Sequence, residues 1–364
     1  MRVALLGFGR LGEARAGAYA EVEDAELVAI LDPTLARRRR GESLLPGIPA
    51  YARLEDLLRE TEPEAVDICS PPVYHEGQIR LSLAHGCHVL CEKPLVTRAG
   101  ALTELAEQAR SAGRVLYPAH NYRFSPAMHF FADTLRAGSL GTLRQGHFQI
   151  VRTSHALGVS EWHPDWRRDP AIAGGGILCD HGTHCVYMAS RLSEEWPRAV
   201  SCTIDRNGGS EETVRLELET GSVRWTVELT WTGDARRNYY ELSGSLGSAV
   251  VDDDRGYLHQ NGSTTTWALP SALSDSTHRA WFPAMFAEFR HAISDPKCAE
   301  DVLAEGVATV STLEHGYASA RGVGERLEID LPAICRGRAA PSLTHEPSSN
   351  GAPHEPALEV TDVQ

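Results

Sequence analysis

The glycines Gly7, Gly9 and Gly12 constrain this chain more than any other feature, because of what flanks them. The apolar run Val3-Ala4-Leu5-Leu6 precedes them, and residues 13–20 read as a helix. A strand, a G-x-G-x-x-G turn and a helix form the opening of a βαβ unit that takes a dinucleotide. The first glycine permits the tight turn, the second lets backbone approach a diphosphate, and the third lets helix pack on strand. The diphosphate then meets free N–H groups and the positive end of the helix dipole. The turn Gly7-Phe8-Gly9-Arg10-Leu11-Gly12 is therefore the expected cofactor cradle. Asp32 ends the next apolar run, 20 residues beyond Gly12. A carboxylate there accepts from both ribose hydroxyls and repels a 2′-phosphate, which favours NAD. Arg37 and Arg38 leave NADP as the alternative.

Through about residue 120, short apolar runs (3–6, 27–31, 65–69, 88–91 and 114–117) alternate with helical patterns over 54–60, 77–85 and 99–112. That alternation predicts a parallel sheet with helices on both faces. Between 147 and 269 the pattern becomes strand after strand, at 147–153, 200–205, 213–219, 222–231, 239–243 and 249–252. Asn207-Gly208-Gly209 and Thr220-Gly221 supply turns. Val223, Trp225, Val227 and Leu229 alternate with polar residues, as one buried face of an antiparallel sheet requires. Helical patterns return over 281–293 and 299–320. The fold class is thus α/β plus α+β: an N-terminal Rossmann doubly wound parallel sheet and a C-terminal domain on an open, mostly antiparallel β-sheet. The expected limits are 1–120, 121–336, and a proline-rich tail from 337 to 364 that lacks the apolar content to pack.

A formal net charge of -14 excludes nucleic acid as a partner, since phosphates would be repelled. No apolar run approaches the roughly 18 residues of a membrane span, and the N-terminus reads as a strand rather than a leader. The eight cysteines form no C-x-x-C pair and suit a reducing cytoplasm as free thiols. The basic run from Arg37 to Arg40 is expected to be the solvated start of a helix.

Further motifs follow in order. They are Ser70-Pro71-Pro72-Val73-Tyr74-His75, His88-Val89-Leu90-Cys91-Glu92-Lys93-Pro94, Asn121-Tyr122-Arg123, and Trp166-Arg167-Arg168-Asp169-Pro170. Last come Gly174-Gly175-Gly176, Asp180, Gly182 and His184. From residue 1 to about 330 this series resembles the glucose-fructose oxidoreductase / inositol 2-dehydrogenase / rhizopine catabolism (Gfo/Idh/MocA) family. The resemblance implies an NAD(P)-dependent enzyme acting on a secondary hydroxyl or ketone of a sugar, amino sugar or cyclitol. It implies a homo-oligomer, a dimer or tetramer, through the C-terminal sheet. It adds Ser70, Pro71, His75, Glu92, Lys93 and Asn121 to the cofactor site. It implies that Lys93 touches both the nicotinamide ribose and the substrate hydroxyl. The family pattern has an aspartate three residues beyond its histidine, and here that position is Tyr187.

Hydride transfer at an alcohol carbon needs a proton acceptor and a positive group beside the developing alkoxide. Lys93 follows a strand of the parallel sheet, at the end where crevices form. Asp180 and His184, spaced i, i+4, share a face if a helix begins near Asp180. His184 is the expected base, Lys93 the alkoxide partner, and Asp180 a group that binds substrate hydroxyls and orients or tunes the imidazole. His120, Arg123, Trp166 and Arg167 are candidate substrate contacts alongside Lys93, Asp180 and His184. Cys179, Asp180, His181, His184 and Cys185 match no zinc spacing, so no metal is expected. Two alternatives stand beside the dehydrogenase: a redox-neutral lyase or glycosidase that retains its NAD, and a non-catalytic dinucleotide-binding sensor.

Overall fold

A computed structural model describes residues 1–206 and 209–342. Strands and helices first alternate as β1 (Arg2–Leu6), α1 (Arg10–Tyr19), β2 (Glu26–Leu31), α2 (Leu35–Leu44), β3 (Ala50–Tyr51), α3 (Leu54–Thr61), β4 (Ala65–Ile68), α4 (His75–Ala84), β5 (His88–Cys91), α5 (Ala99–Ala112) and β6 (Leu116–Pro118). The six strands are parallel in the order β3-β2-β1-β4-β5-β6. The chain winds outward from β1, then returns to its other side at β4. At that reversal the loops diverge and open a crevice at the strands' carboxyl ends. Residues 7–12, Asp32, Ser70, Glu92-Lys93 and Asn121 all follow strand ends on that side. Every residue of β4 is buried, because helices cover both faces of the sheet.

The second half contributes α6 (Pro126–Arg136), β7 (Leu143–Val151), α7 (Pro170–Ala173), α8 (Thr183–Ser193), β8 (Pro197–Arg206), β9 (Glu211–Thr220), β10 (Val223–Thr230), β11 (Arg237–Gly244), β12 (Gly247–Asp252), β13 (Arg255–Gln260), β14 (Ser263–Ala268), α9 (Phe282–Ser294), α10 (Pro296–Arg321) and β15 (Leu327–Glu328). Its sheet runs β14-β13-β12-β11-β7-β10-β9-β8-β15. Among the described residues β7 and β10 pair parallel and all other neighbours pair antiparallel. One face packs on α6 and α8 through Phe131, Val186, Met188, Trp225, Val227 and Leu229. A Cβ on Gly146 would lie 2.1 Å from the Trp225 ring, so the buried indole requires glycine at that point of β7. The opposite face is polar, with His147 Nε2 3.0 Å and Arg215 Nη1 2.6 Å from the Glu228 carboxylate.

Three expectations change. Helix α9, assigned by order to the second domain, packs in the core of the first, and α10 serves both, its first half lying against the parallel sheet and its second half, through Leu313, against the second sheet. Phe282, Met285, Phe286 and Phe289 pack with Val3, Leu90 and Tyr117, and Leu303, Ala304 and Val307 pack with Val89 and Leu102. An amphipathic pattern says that a helix has an apolar side, not which sheet receives it. Arg37 is no solvated side chain: it is buried, donating from Nε to Phe8 O at 2.8 Å and pairing with Glu13 at 2.9 Å. The tail prediction begins too early, since Trp196 Nε1 donates to Arg338 O at 2.8 Å and Ala340 is buried. The remainder of that tail, and Asn207-Gly208 of the predicted turn, lie outside the described residues. All eight cysteines are free, and no helix among the described residues is long and apolar enough to cross a membrane.

Candidate active site

The three glycines meet different demands. Gly7 has φ +93°, and a Cβ there would lie 2.7 Å from Ser70 N. On Gly12 it would lie 2.0 Å from Gly7 O, so α1 can approach β1 only without a side chain. On Gly9 it would meet nothing within 4 Å among the described residues. Gly9 is the N-cap of α1 with no side-chain cap, so the first N–H groups of the helix face that open space. This is the shape and polarity a diphosphate needs. Phe8 contributes backbone rather than side chain: its ring is wholly buried, and its N–H donates to Asp32 Oδ2 at 3.0 Å. Asp32 Oδ1 accepts from Thr34 N at 2.8 Å, which fixes the carboxylate at the mouth of β2. Leu11 and Asn121 line a small cavity with His278, and Asn121 Oδ1 is buried with no hydrogen-bond partner among the described residues. An unsatisfied amide oxygen at this end of the cradle fits the carboxamide of a nicotinamide.

The remaining predicted cofactor residues divide. Ser70 Oγ donates to Gln78 Oε1 at 2.6 Å, beside the Gly7 turn and followed by Pro71. His75 is wholly buried, with Nδ1 2.9 Å from Pro94 O and Nε2 2.8 Å from Ser70 O. It ties the loop after β4 to the loop after β5, and both ring nitrogens are occupied. Glu92 pairs with Arg15 beneath the crevice, and Arg15 also reaches Asp67 at 3.3 Å. Burial raises the Asp67 carboxyl above its usual range against the pull of Arg15.

Lys93 crosses to the second half. Its Nζ donates to Asp180 O and to Asp180 Oδ1, each at 2.7 Å. Asp180 lies in a π-helical turn, Leu178–Gly182, that runs directly into α8. That wider turn sets Asp180 and His184 on the crevice side, and π-turns recur at functional sites. The glycines before it allow close packing: a Cβ on Gly175 would lie 1.9 Å from Tyr317 Oη, and Gly176 N donates to Glu211 Oε1 at 2.7 Å. Arg167 Nε stands 3.8 Å and His181 Nδ1 3.4 Å from Asp180 Oδ2. Burial would raise the Asp180 carboxyl, but Lys93, His181 and Arg167 outweigh it and hold it well below the usual range. Arg167 lies over Trp166, its Cζ 4.3 Å from the ring centroid, as expected of residues in one pocket wall.

His184 is 5% exposed, and Tyr122 stacks on it at 4.1 Å. Burial first, then the positive charge of Lys93, pushes its pKa well below the usual histidine value. Nδ1 of His184 lies 2.7 Å from the Tyr187 hydroxyl. Two of the expected substrate groups lie elsewhere. Arg123 is 1% exposed and pairs with Glu288, and His120 Nδ1 lies 2.6 Å from the wholly buried Glu305. These side chains are spent on an ion network behind the crevice, which also includes Arg191. Sequence reasoning missed Tyr122 as an aromatic wall, and with it Trp281 and His278. His278 adopts φ +51°, stacks on Trp281 at 3.9 Å and reaches Tyr122 Oη at 3.3 Å; burial lowers its pKa to about 4. No local pattern marks it, because it reaches the crevice from a loop some 90 residues beyond His184.

The segment after β7 crosses the cradle as a strap. Gly158 O accepts from Arg10 Nε at 3.3 Å, Glu161 pairs with Arg37 at 3.4 Å, and Trp162 meets Tyr74 at 6.2 Å between ring centroids.

Comparison with known proteins agrees with this fold. Residues 1–120 match a family model described as "Oxidoreductase family, NAD-binding Rossmann fold", and residues 131–250 match "GFO/IDH/MocA C-terminal domain". The chain is 28% identical to D-glucoside 3-dehydrogenase of Escherichia coli (strain K12) over 52% of its own length and 53% of that protein's. It is 30% identical to trans-1,2-dihydrobenzene-1,2-diol dehydrogenase of Mus musculus over 56% of its own length and 59% of that protein's. These matches thus span little more than half of either relative. Levoglucosan dehydrogenase, solved with NADH and levoglucosan, superposes with a TM-score of 0.78 over 90% of this chain and 99% of that one, at 19% identity, and so shares the fold.

Proposed function

Since the chain belongs to the Gfo/Idh/MocA oxidoreductase family, we propose that it moves a hydride between NAD and a secondary hydroxyl, or the corresponding ketone, of a sugar, amino sugar or cyclitol. One observation carries this reading. An amine after β5 and a carboxylate before α8 meet at 2.7 Å, beside an imidazole and an unsatisfied amide oxygen at the end of a dinucleotide cradle. The bound nicotinamide supplies or accepts the hydride. Everything else is done by the backbone and side chains of this chain. Gly7 to Gly12 and Asp32 hold the diphosphate and the adenosine ribose. Glu92, Lys93 and Asn121 orient the nicotinamide end. Lys93 and His184 flank the reacting oxygen, Lys93 setting a positive charge against the developing alkoxide. Asp180 keeps the Lys93 ammonium in place, and Tyr122, Trp166 and Arg167 close the walls around a polar ring. The names of the relatives, a glucoside dehydrogenase and a diol dehydrogenase, support a vicinal-diol substrate.

A scheme with a His184 imidazolium as acid does not suit an imidazole whose pKa is so depressed. One observation favours a second reading. The strap over Arg10, Arg37 and Tyr74 suits an enzyme that retains its NAD through a redox-neutral cycle. A screen of polyols, cyclitols and keto-sugars with NAD(H) and NADP(H), followed at the nicotinamide absorbance band, tests both. Net turnover with NAD supports the dehydrogenase. Substrate consumption by a protein that copurifies with NAD, without net absorbance change, supports the redox-neutral enzyme. We also assign the cytoplasm as its compartment and the polar face of the second sheet as its oligomer contact.

A further inference from the structure

The contact behind His184 decides what that imidazole can do. Tyr187 lies one turn along α8 with its side chain wholly buried. Among the described residues its hydroxyl has two hydrogen-bond partners: it accepts from Tyr122 N–H at 3.1 Å, and it lies 2.7 Å from His184 Nδ1. Two proton arrangements fit these contacts. In the first, the phenol donates to Nδ1, and the neutral ring carries its own proton on Nε2. In the second, Nδ1–H donates to a phenol oxygen that already accepts from Tyr122, and the single phenol proton is left with no acceptor in a buried place. A buried donor without an acceptor is costly, and the first arrangement leaves none.

We propose that Tyr187 holds neutral His184 as its Nε2–H tautomer, so that the imidazole meets the crevice as a hydrogen-bond donor and not as a base. The packing supports one fixed ring orientation: Tyr122 stacks on His184 at 4.1 Å, and His120 stacks on Tyr187 at 4.1 Å. An aspartate at this position, as in the family pattern, only accepts, and places the proton on Nδ1 with Nε2 bare. Tyr187 reverses that polarity. The role of the donor rests on the oxidoreductase reading. There, Nε2–H polarises a ketone oxygen, and the proton that ends on it comes from Lys93. Two of the three ammonium donors of Lys93 go to Asp180 O and Oδ1, leaving one for the substrate. In the reductive direction that N–H bond breaks and an O–H bond forms. The remaining amine keeps its place beside Asp180 and regains a proton from water.

The test reads the ring itself. In full-length protein with 15N-labelled histidine, long-range proton–nitrogen correlation spectra separate protonated from bare ring nitrogens, and His184→Gln assigns the signals. The expected wild-type pattern is a protonated Nε2 and a bare Nδ1 shifted by an accepted hydrogen bond. In Tyr187→Phe, which keeps the packing, the Nδ1 resonance moves to the position of a nitrogen without a donor. In Tyr187→Asp the proton moves to Nδ1. A wild-type proton on Nδ1, or an Nδ1 resonance identical in wild type and Tyr187→Phe, overturns the proposal. No substrate is needed, so the expected spectrum together with absent turnover would sink the oxidoreductase reading and leave the tautomer standing.

Discussion

Replacing Lys93 by methionine tests the site most directly. Methionine keeps the length and apolar stem of the side chain and removes its charge. In the structure that charge holds Asp180 at 2.7 Å through both the carbonyl and the carboxylate, while the next cation, Arg167, stands at 3.8 Å and is poorly placed to compensate. Loss of a positioned proton-transfer group lowers turnover by about 10²–10⁴, equivalent to roughly 3–5 kcal/mol of barrier. The fold loses less. Side-chain exposures of 15% and 19% leave the freed Asp180 carboxylate partly solvated, so the cost stays below the roughly 3–5 kcal/mol of a fully buried broken pair. Steady-state kinetics on whichever polyol or keto-sugar turns over, paired with calorimetric NAD titration and urea unfolding, separates these effects. The expected result is a collapsed kcat, an NAD Kd within about tenfold of wild type, and a native unfolding transition. A folded, NAD-binding Lys93→Met enzyme whose kcat stays within about tenfold of wild type would refute the reasoning.

Three further outcomes follow from the same geometry. Gly9→Ala folds normally but weakens NAD binding by about tenfold or more, roughly 1.4 kcal/mol, because its methyl fills the cradle; Gly12→Ala loses stability as well, since its Cβ would stand 2.0 Å from Gly7 O. Equal unfolding midpoints for the two variants contradict this. Burial depresses the pKa of His181 to about 3 and of His278 to about 4, and lowers His184 as well. The unfolded chain then binds protons that the folded chain refuses, so these residues add full stability above about pH 6.5 and lose it as pH falls toward 4, by about 1.4 kcal/mol per pH unit for each. Urea midpoints unchanged between pH 7 and pH 5 would be inconsistent with neutral buried imidazoles. Replacing both Glu161 and Trp162 by alanine removes two strap contacts and speeds NADH release, visible in stopped-flow fluorescence; an unaltered rate would show that the strap does not gate the cofactor.

The local signals were strong where local chemistry is self-sufficient. The Gly7–Gly12 turn, Asp32 and the helix at Ala99–Ala112 were legible because each encodes its own backbone path or periodicity. The motif at Glu92-Lys93 and the spacing of Asp180 and His184 announced an amine and an imidazole with a shared purpose. Neither states that they meet, since a salt bridge across 87 residues depends on where two sheets stand. Other residues misled. Arg123 and His120 are polar residues in a motif, but their side chains are taken up by Glu288 and Glu305, which arrive from α9 and α10. Strands β13 and β14 were not resolved as separate elements, because their thin alternation, Thr264-Thr265-Thr266-Trp267, gains its meaning only from pairing with a neighbour.

Sequence by itself determined the parallel sheet, the cofactor turn and the residue types available for catalysis, because short-range sterics and periodicity are written along the chain. Tertiary structure alone decided that α9 closes the first domain while α10 bridges both, that the strap crosses the cradle, and that His278 joins the site. It also decided that the hydroxyl of Tyr187 turns onto His184 Nδ1 in a dry interior. Each of these depends on which distant surfaces exclude water together, and burial of that kind is a property of the assembled chain, not of any segment in it.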